Sequence, residues 1–421
     1  MRCMTYPAPI RPAVARRILA RSAPVAMLLA ASAPGIAKAA PYSVTLEVDG
    51  QTYSRTFGSY SEAQRALRER SIREIAPNYT PRSSVRADVS IRGLPATVTR
   101  VPGETALVLS VPAAGVTQVF SGQSFADSTR QLETFARGQG NTEELRKIYD
   151  AIAANSTIDP VIGNPSSLQG QSITADHGAG TALPGDLGRM EPREAGWHFG
   201  ISGRLGRHQS NDFDTTAYDL PLAVSYVFGA DGPELFLDLP LSLTTVAGAT
   251  SYLGSAGIGL RVPVLRREAL RWALTPAMRG GAAGSSEVGS VGAAYGASLT
   301  SDLRMALPAG LVLGIGNTVG YYETEPVQVG DYDLRYDLQN VYYRNGLRLS
   351  RPVGSIGNRP VLLGVNVTDT RVAGDDIAVR SWQEYGLTVT VGQAAPVQLG
   401  LSYLDGRNGY NAFRFGISFG F

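Results

Sequence analysis

Cysteine is all but absent from this chain: among 421 residues only Cys3 carries a thiol. Disulfides and Cys-based zinc sites are therefore excluded, and so is a cysteine nucleophile once a leader containing Cys3 is removed. Charge is also scarce, at 18% of residues against the roughly 25% of ordinary soluble domains. No apolar run of helix length follows residue 40, which excludes a helical membrane protein. A basic excess is missing too. The first 39 residues hold five Arg, one Lys and no acid, so the 38 bases less these six leave 32 against 36 acids. Nucleic acid is thus not an expected partner. What the chain does have is glycine, 48 residues of it, and a length that allows two domains.

The N-terminus reads as a secretory signal recognised by the Sec translocase. Arg11, Arg16, Arg17 and Arg21 precede the apolar stretch Ala26-Met27-Leu28-Leu29-Ala30-Ala31, and Ala37-Lys38-Ala39 forms a small-residue cleavage site before Ala40. Pro24 and Pro34 bracket a core too short to span a bilayer of roughly 30 Å.

From Ala195 onward the dominant period is two. In the last segment Phe413, Phe415, Ile417, Phe419 and Phe421 point one way, and Ala412, Arg414, Gly416, Ser418 and Gly420 the other. The same alternation recurs upstream in Val397 to Tyr403, Tyr385 to Val391, Val361 to Val367, Val341 to Leu349, Leu311 to Tyr321, Tyr295 to Met305, Leu270 to Met278, Ala256 to Val264, Leu235 to Leu243, Tyr218 to Phe228 and Trp197 to Leu205. One face is bulky and apolar and the other small or polar, the inverse of a soluble sandwich. About twelve such strands predict an antiparallel transmembrane β-barrel over residues 195–421. If the first strand rises from the periplasm, the odd connections are outer loops, among them His208 to Thr216, Gly280 to Glu287, Thr324 to Leu334 and Thr370 to Ala378. The even ones are turns, although Arg351 to Arg359 is longer than expected.

Residues 40–140 read as a small α+β domain. A hairpin is expected over 41–57 with Asp49-Gly50 as its turn, then a helix opened by a Ser61/Gln64 capping box, and strands at Ser84 to Ile91, Ala96 to Val101 and Thr105 to Val111. Helices are expected at Ala126 to Arg137 and Thr142 to Ala154, the second with Leu145, Ile148, Tyr149 and Ile152 on one face. Residues 155–194 have no periodicity and are rich in Gly, Ser and Pro, so 141–194 reads as a helix with a linker or plug, in or beneath the pore. The fold class expected is mainly β, a C-terminal barrel preceded by a small α+β domain.

The terminal Phe421 with its alternating aromatics resembles the assembly signal of Gram-negative outer-membrane barrels. The order of signal, N-terminal region, helix, linker and barrel resembles autotransporters, and Asp159-Pro160-Val161-Ile162-Gly163-Asn164-Pro165-Ser166-Ser167-Leu168 looks like a segment preceding the barrel in uncharacterised autotransporter-like proteins. The resemblance implies insertion into the bacterial outer membrane by the barrel-assembly machinery, with residues 413–421 as the recognised strand, amid outer-membrane lipids and lipopolysaccharide. It does not imply a secreted virulence activity, because a long β-helical passenger is missing.

Few constellations suggest chemistry. Arg204, Arg261, Arg271, Arg279, Arg304, Arg344, Arg348 and Arg414 fall on the lumenal parity, against Asp219, Asp238, Asp302 and Glu384. They read as a basic pore, as a grip on an inserted helix, or, preferably, as an ion-pair network filling a narrow barrel. His198 and Ser202 share the lumenal face of the first strand, but no third group is placed to orient the imidazole, and the other histidines, His177 and His208, suggest no site. Asp212, Asp214, Asp331, Asp333, Asp375 and Asp376 lie in outer loops without a calcium-loop spacing. Trp197, Trp272 and Trp382 near strand ends suggest interfacial girdles, and Gly314-Ile315-Gly316 with Gly320 lacks dinucleotide-motif spacing. No cofactor, metal or enzymatic activity is expected. The expected function is an autotransporter-like barrel with a structural or translocator role; a small anion-preferring channel and an outer-membrane hydrolase are the alternatives.

Overall fold

The structure, a computed structural model, describes residues 40–421 except 67, 101–102, 183–189, 191–192, 211–212, 330–331, 335 and 394. The expected signal, with Ala37 and Ala39 of its cleavage site, lies outside the described residues, and Ala40 begins them.

The chain opens with the hairpin β1 (Tyr42–Val48) and β2 (Gln51–Phe57), turned through Asp49 and Gly50, both at positive φ as a two-residue turn of that hand requires. After α1 (Tyr60–Ala66) and α2 (Glu69–Ile75) come β3 (Val85–Ile91), β4 (Leu94–Arg100), β5 (Leu107–Val111) and β6 (Val116–Phe120), giving a six-stranded antiparallel sheet ordered β2-β1-β3-β4-β5-β6. Ser59, not Ser61, caps α1: its hydroxyl accepts from the Glu62 amide at 3.4 Å, and the helix starts two residues earlier than a Ser61 cap would place it. α2 and β6 had no apolar period long enough to announce them. Helices α3 (Phe125–Ala136) and α4 (Thr142–Asn155) are capped by Ser124 and Asn141. Their apolar residues join Val44, Leu46, Val89, Val98 and Leu109 of the sheet in one buried core.

Residues 156–167 form no regular element, yet most are buried, and they lead into α5 (Leu168–Thr181). A helix here was not expected. The barrel follows: β7 (Gly196–Gln209), β8 (Asp214–Val227), β9 (Glu234–Val246), β10 (Ala249–Arg267), β11 (Leu270–Ser285), β12 (Ser290–Ala306), β13 (Val312–Glu325), then a small hairpin β14 (Val327–Val329) and β15 (Tyr332–Leu334). It continues with β16 (Gln339–Ile356), β17 (Arg359–Gly374), β18 (Ser381–Val391), β19 (Val397–Gly406) and β20 (Asn411–Gly420). Omitting β14 and β15, neighbours pair antiparallel and β20 pairs β7, closing a twelve-stranded barrel with no free edge.

Its faces are inverted relative to a soluble protein. Leu235, Leu237, Leu239 and Leu241 of β9 are exposed, whereas Asp238, Ser242 and Thr244 on the alternate parity are buried. An outward apolar band and a polar interior belong to a barrel that spans a membrane with strands. No described helix is long and apolar enough to cross one.

The barrel has a turn mouth, with connections 228–233, 268–269, 307–311, 357–358 and 392–396, and a loop mouth holding the longest connection, 326–338. The segment Arg351 to Arg359, expected as a long turn, is instead strand: β16 and β17 run on to a turn at Gly357-Asn358, past a register shift between Pro352 and Gly354 where proline can donate no ladder bond. The N-terminal domain packs on the loop mouth. The Tyr42 hydroxyl donates to the Val288 carbonyl and the Tyr60 amide to the Glu287 carbonyl at 2.7 Å, and Leu253, Ala283, Ala294 and Leu338 of the rim join the domain's own core.

Gly163 fixes the route from this cap into the barrel. It sits at φ +102, a Cβ there would meet the Ser156 and Ala153 carbonyls at 2.9 and 3.0 Å, and its own carbonyl accepts the Val379 amide. Gly163→Ala is expected to cost about 1–2 kcal/mol in backbone strain. Hydrogen exchange should then run on the order of tenfold faster in the cap and in residues 156–167 than in the wild type, with the barrel strands unchanged.

Candidate functional site: the lumen and the seal at its mouth

The lumen is occupied by the chain's own α5. Ser167 caps its start, where its hydroxyl accepts from the Gly170 amide, and the helix runs from the loop mouth toward the turn mouth. Its partners are polar and come from several walls. Gln169 accepts from Tyr342 at 3.1 Å, Gln171 donates to Ser242 at 3.0 Å, and His177 bonds Thr318 at 2.9 Å. Lumenal glycines of β13 and β16 make room: a Cβ at Gly316 would meet Thr181 at 2.6 Å, and one at Gly346 would meet His177 at 3.2 Å. Gly316 and Gly320, whose spacing fits no dinucleotide motif, form part of the groove in which the helix lies.

The strongest contact is charged. Asp176 accepts from Arg279 Nε at 2.8 Å and from the Tyr322 hydroxyl at 2.5 Å, while the same guanidinium donates twice to Asp238 at 2.7 and 2.9 Å. All four side chains are buried. At the other end of α5, the Thr181 carbonyl accepts from Arg304 at 3.0 Å and from Arg348 at 3.1 Å, so two cations meet the negative end of the helix dipole.

The remaining predicted lumenal arginines also face inward, and acids meet them. Arg261 and Arg304 share Asp302 at 2.6 and 2.7 Å. Arg344 and Arg414 share Glu384 at 3.0 and 3.8 Å, and Arg204 faces Asp219 at 3.4 Å. Arg271 pairs with Asp231 at the turn mouth, 2.8 Å away. Between α5 and the β7 wall, a cavity of about 340 Å³ remains, lined by Ser202, Arg204 and Arg348 among others.

A second buried cluster seals the loop mouth. The β3–β4 turn presents Arg92, at φ +56, which donates from Nη1 to Asp159 at 2.6 Å and to the Tyr336 hydroxyl at 3.0 Å. Tyr336 in turn donates to Asp159 at 2.6 Å, and Ser290 of β12 bonds Tyr336 at 2.8 Å. Burial pushes the Tyr336 phenol well above its ordinary pKa, so it stays a donor at any physiological pH. Asp159 also accepts the Val161 amide at 2.9 Å, and Asn164 and Ser167 close the following turns, so the Asp159–Leu168 motif folds on itself before entering the barrel.

Other expected sites are placed as follows. Phe413, Phe415, Phe419 and Phe421 of the terminal strand are exposed on the outer face, with Ile417 on the same parity, and Phe421 exchanges both backbone bonds with Phe199. Trp197 is exposed and Trp272 half-buried on the outer face, its indole donating to Ser301. Trp382 is a correction: it is 1% exposed and packs with Tyr342, Leu404 and Tyr410 inside the loop mouth, so it is no part of a lipid-facing girdle. Its even number gives it the opposite parity from Tyr385 and Leu387, which do face outward. His198 bonds the Glu194 carbonyl at 3.0 Å and lies four strand residues, roughly 13 Å, from Ser202. His208 is buried against the Tyr410 hydroxyl at 2.7 Å. Asp214 pairs with Arg207, Asp376 with Arg380, and Asp375 accepts the Gln339 amide; Asp212, Asp331 and the Asp333 side chain lie outside the described residues. Among the described residues no group of three or more potential ligands is placed to hold a metal.

No protein-family model and no curated protein matches the sequence. Among solved structures, the β-domain of the Bordetella autotransporter BrkA is 14% identical with a TM-score of 0.41, over 54% of this chain and 99% of that one. The translocator domain of NalP from Neisseria meningitidis is 12% identical, TM-score 0.41, over 60% and 94%. The transport unit of AIDA-I from Escherichia coli is 12% identical, TM-score 0.37, over 59% and 97%.

Arg279→Met leaves Asp176 and Asp238 buried without their cation, an expected loss of about 3–5 kcal/mol. It should lower the temperature at which the compact, fast-migrating gel form converts to the unfolded one, while Arg371→Met on the exposed surface should not.

Proposed function

We propose that the chain is an outer-membrane barrel that carries its own N-terminal domain to the cell surface and keeps it there as a cap, a translocator role with a structural end state. The path of the chain supports this. The domain packs on the loop mouth, α5 descends through the lumen, and β7 begins at the turn mouth, where Arg193 just upstream donates to Glu234 at 2.6 Å. A chain with the domain outside and the first strand starting from the periplasm has to pass through its own barrel. The longest connection, 326–338, carries its own hairpin and lies at the loop mouth, which supports placing that mouth outside. An even strand count also returns Phe421 to the mouth where β7 begins, the periplasmic side at which an assembly machinery would read it.

Export by Sec, insertion by the barrel-assembly machinery through β20, and contact with outer-membrane lipids and lipopolysaccharide belong to the same reading. It assigns no catalysis: His198 and Ser202 are too far apart to act together. An open anion channel is disfavoured, because acids meet most of the lumenal arginines, and Arg348 together with acid-paired Arg304 holds the end of α5. Deleting residues 40–182 is expected to raise conductance in planar bilayers severalfold; equal conductance with and without them would argue for a channel already open.

The direct test uses single cysteines and a membrane-impermeant maleimide on intact cells. Arg55→Cys in the cap and Asp375→Cys at the loop mouth should react, and Asn358→Cys at the turn mouth should react only after lysis. The reverse pattern would place the cap in the periplasm and remove the translocator claim.

A further inference from the structure

The cap contains a cleft that neither its packing on the barrel nor the path of the chain accounts for. It lies between the sheet, helices α3 and α4, and the barrel rim at 284–291, with a volume of about 830 Å³. Its walls are apolar, including Val98, Leu109, Phe135, Leu145 and Ile148, and small residues such as Ala96 stand where larger ones would close it. Protein interiors pack about as densely as organic crystals. Even an engineered apolar cavity of roughly 150 Å³ stays dry and takes up hydrophobic molecules. This cleft falls within the roughly 300–1,000 Å³ of small-molecule sites.

Polar atoms mark one end. Among the described residues, the buried side-chain polar atoms of the lining that meet no partner are Gln64 Nε2 and Arg92 Nε. Arg92 lies beside Tyr42, its amide donating to the neighbouring Pro41 carbonyl, and Gln64 is one helical turn beyond Tyr60 of α1, whose ring meets that of Tyr42 at 5.9 Å. Both are donors, so the missing group is an acceptor. A peptide or an alcohol would bring donors of its own, and among the described residues the lining has no unpaired buried side-chain acceptor to receive them.

We infer that this cleft binds a single acyl chain, its oxygen-bearing head, a carboxylate or ester carbonyl, accepting from Gln64 and Arg92 and its tail lying among the apolar walls. A free fatty acid and a single-chain lipid share that chemistry. The site does not depend on which way the barrel faces, so failure of the translocator reading would leave it standing.

The test uses the full chain refolded into phosphatidylcholine nanodiscs, with dansyl-undecanoic acid as probe and empty nanodiscs as blank. The wild type should show saturable binding of one probe per chain above the blank. Ala96→Trp, which fills the cleft, should weaken it by about tenfold or more, and Gln64→Leu by severalfold. Protease resistance of the cap reports whether each variant is folded; if Ala96→Trp is not, Ala136→Leu fills the same space from the helix side. Displacement by laurate alone identifies a fatty-acid site, and displacement by lysophosphatidylcholine as well identifies a site for single-chain lipids. A wild-type signal equal to the blank, displacement by neither competitor, or undiminished binding in a folded cleft-filling variant would overturn the inference.

Discussion

The contact between Asp176 and Arg279 is the one on which the rest of the lumen depends. It joins a helix with little apolar surface to the wall of a closed barrel, where dispersion and hydrophobic burial have little to offer. A carboxylate brought into such an interior must find a cation and further donors or be strongly destabilising. Here the same guanidinium serves Asp176 and Asp238, and Tyr322 donates to the helix acid from another strand. The arrangement fixes the rotation and depth of α5, because donors from two strands, Arg279 of β11 and Tyr322 of β13, must both reach the helix carboxylate. Arg304 and Arg348 at the Thr181 carbonyl then hold the far end.

The seal at the loop mouth repeats this logic where cap, linker and barrel meet. Arg92 comes from the cap, Asp159 from the segment before α5, and Tyr336 from the long connection, so one buried cluster ties three parts of the chain that are far apart in sequence. Arg92 adopts a left-handed conformation, which costs a non-glycine residue about 1–2 kcal/mol and is sustained by these partners. Around it the apolar core of the cap continues into the rim. Cap and barrel therefore share a core, a closer association than a flexibly tethered domain would have.

How much of this was legible differs sharply between parts. The strands of the barrel were readable because lipid outside and polar groups inside impose a strict period of two, and Leu235 to Leu243 or Phe413 to Phe421 could hardly fold otherwise. The cap's hairpin and the helices α3 and α4 were readable from turn and capping residues and from the face formed by Leu145, Ile148, Tyr149 and Ile152. Trp382 stands near a strand end like Trp197 and Trp272, but its parity turns it inward. Ser59 with Glu62 has the same capping-box spacing as Ser61 with Gln64 two residues later, so the pattern alone does not choose between them.

The sequence by itself determined a mainly β chain with an inverted strand pattern, an even set of strands and a small α+β region before them, since each follows from local periodicity and turn chemistry. Only the tertiary structure decided that Leu168–Thr181 is a helix and where it lies. Three glycines and no apolar face give that segment little helical tendency of its own. It is helical because the lumen offers partners on several sides, and those partners come from strands that meet only once the barrel has closed. The pairing of Arg92 with Asp159, the inward turn of Trp382 and the cleft beneath the sheet were decided in the same way, by contacts between residues that no local pattern connects.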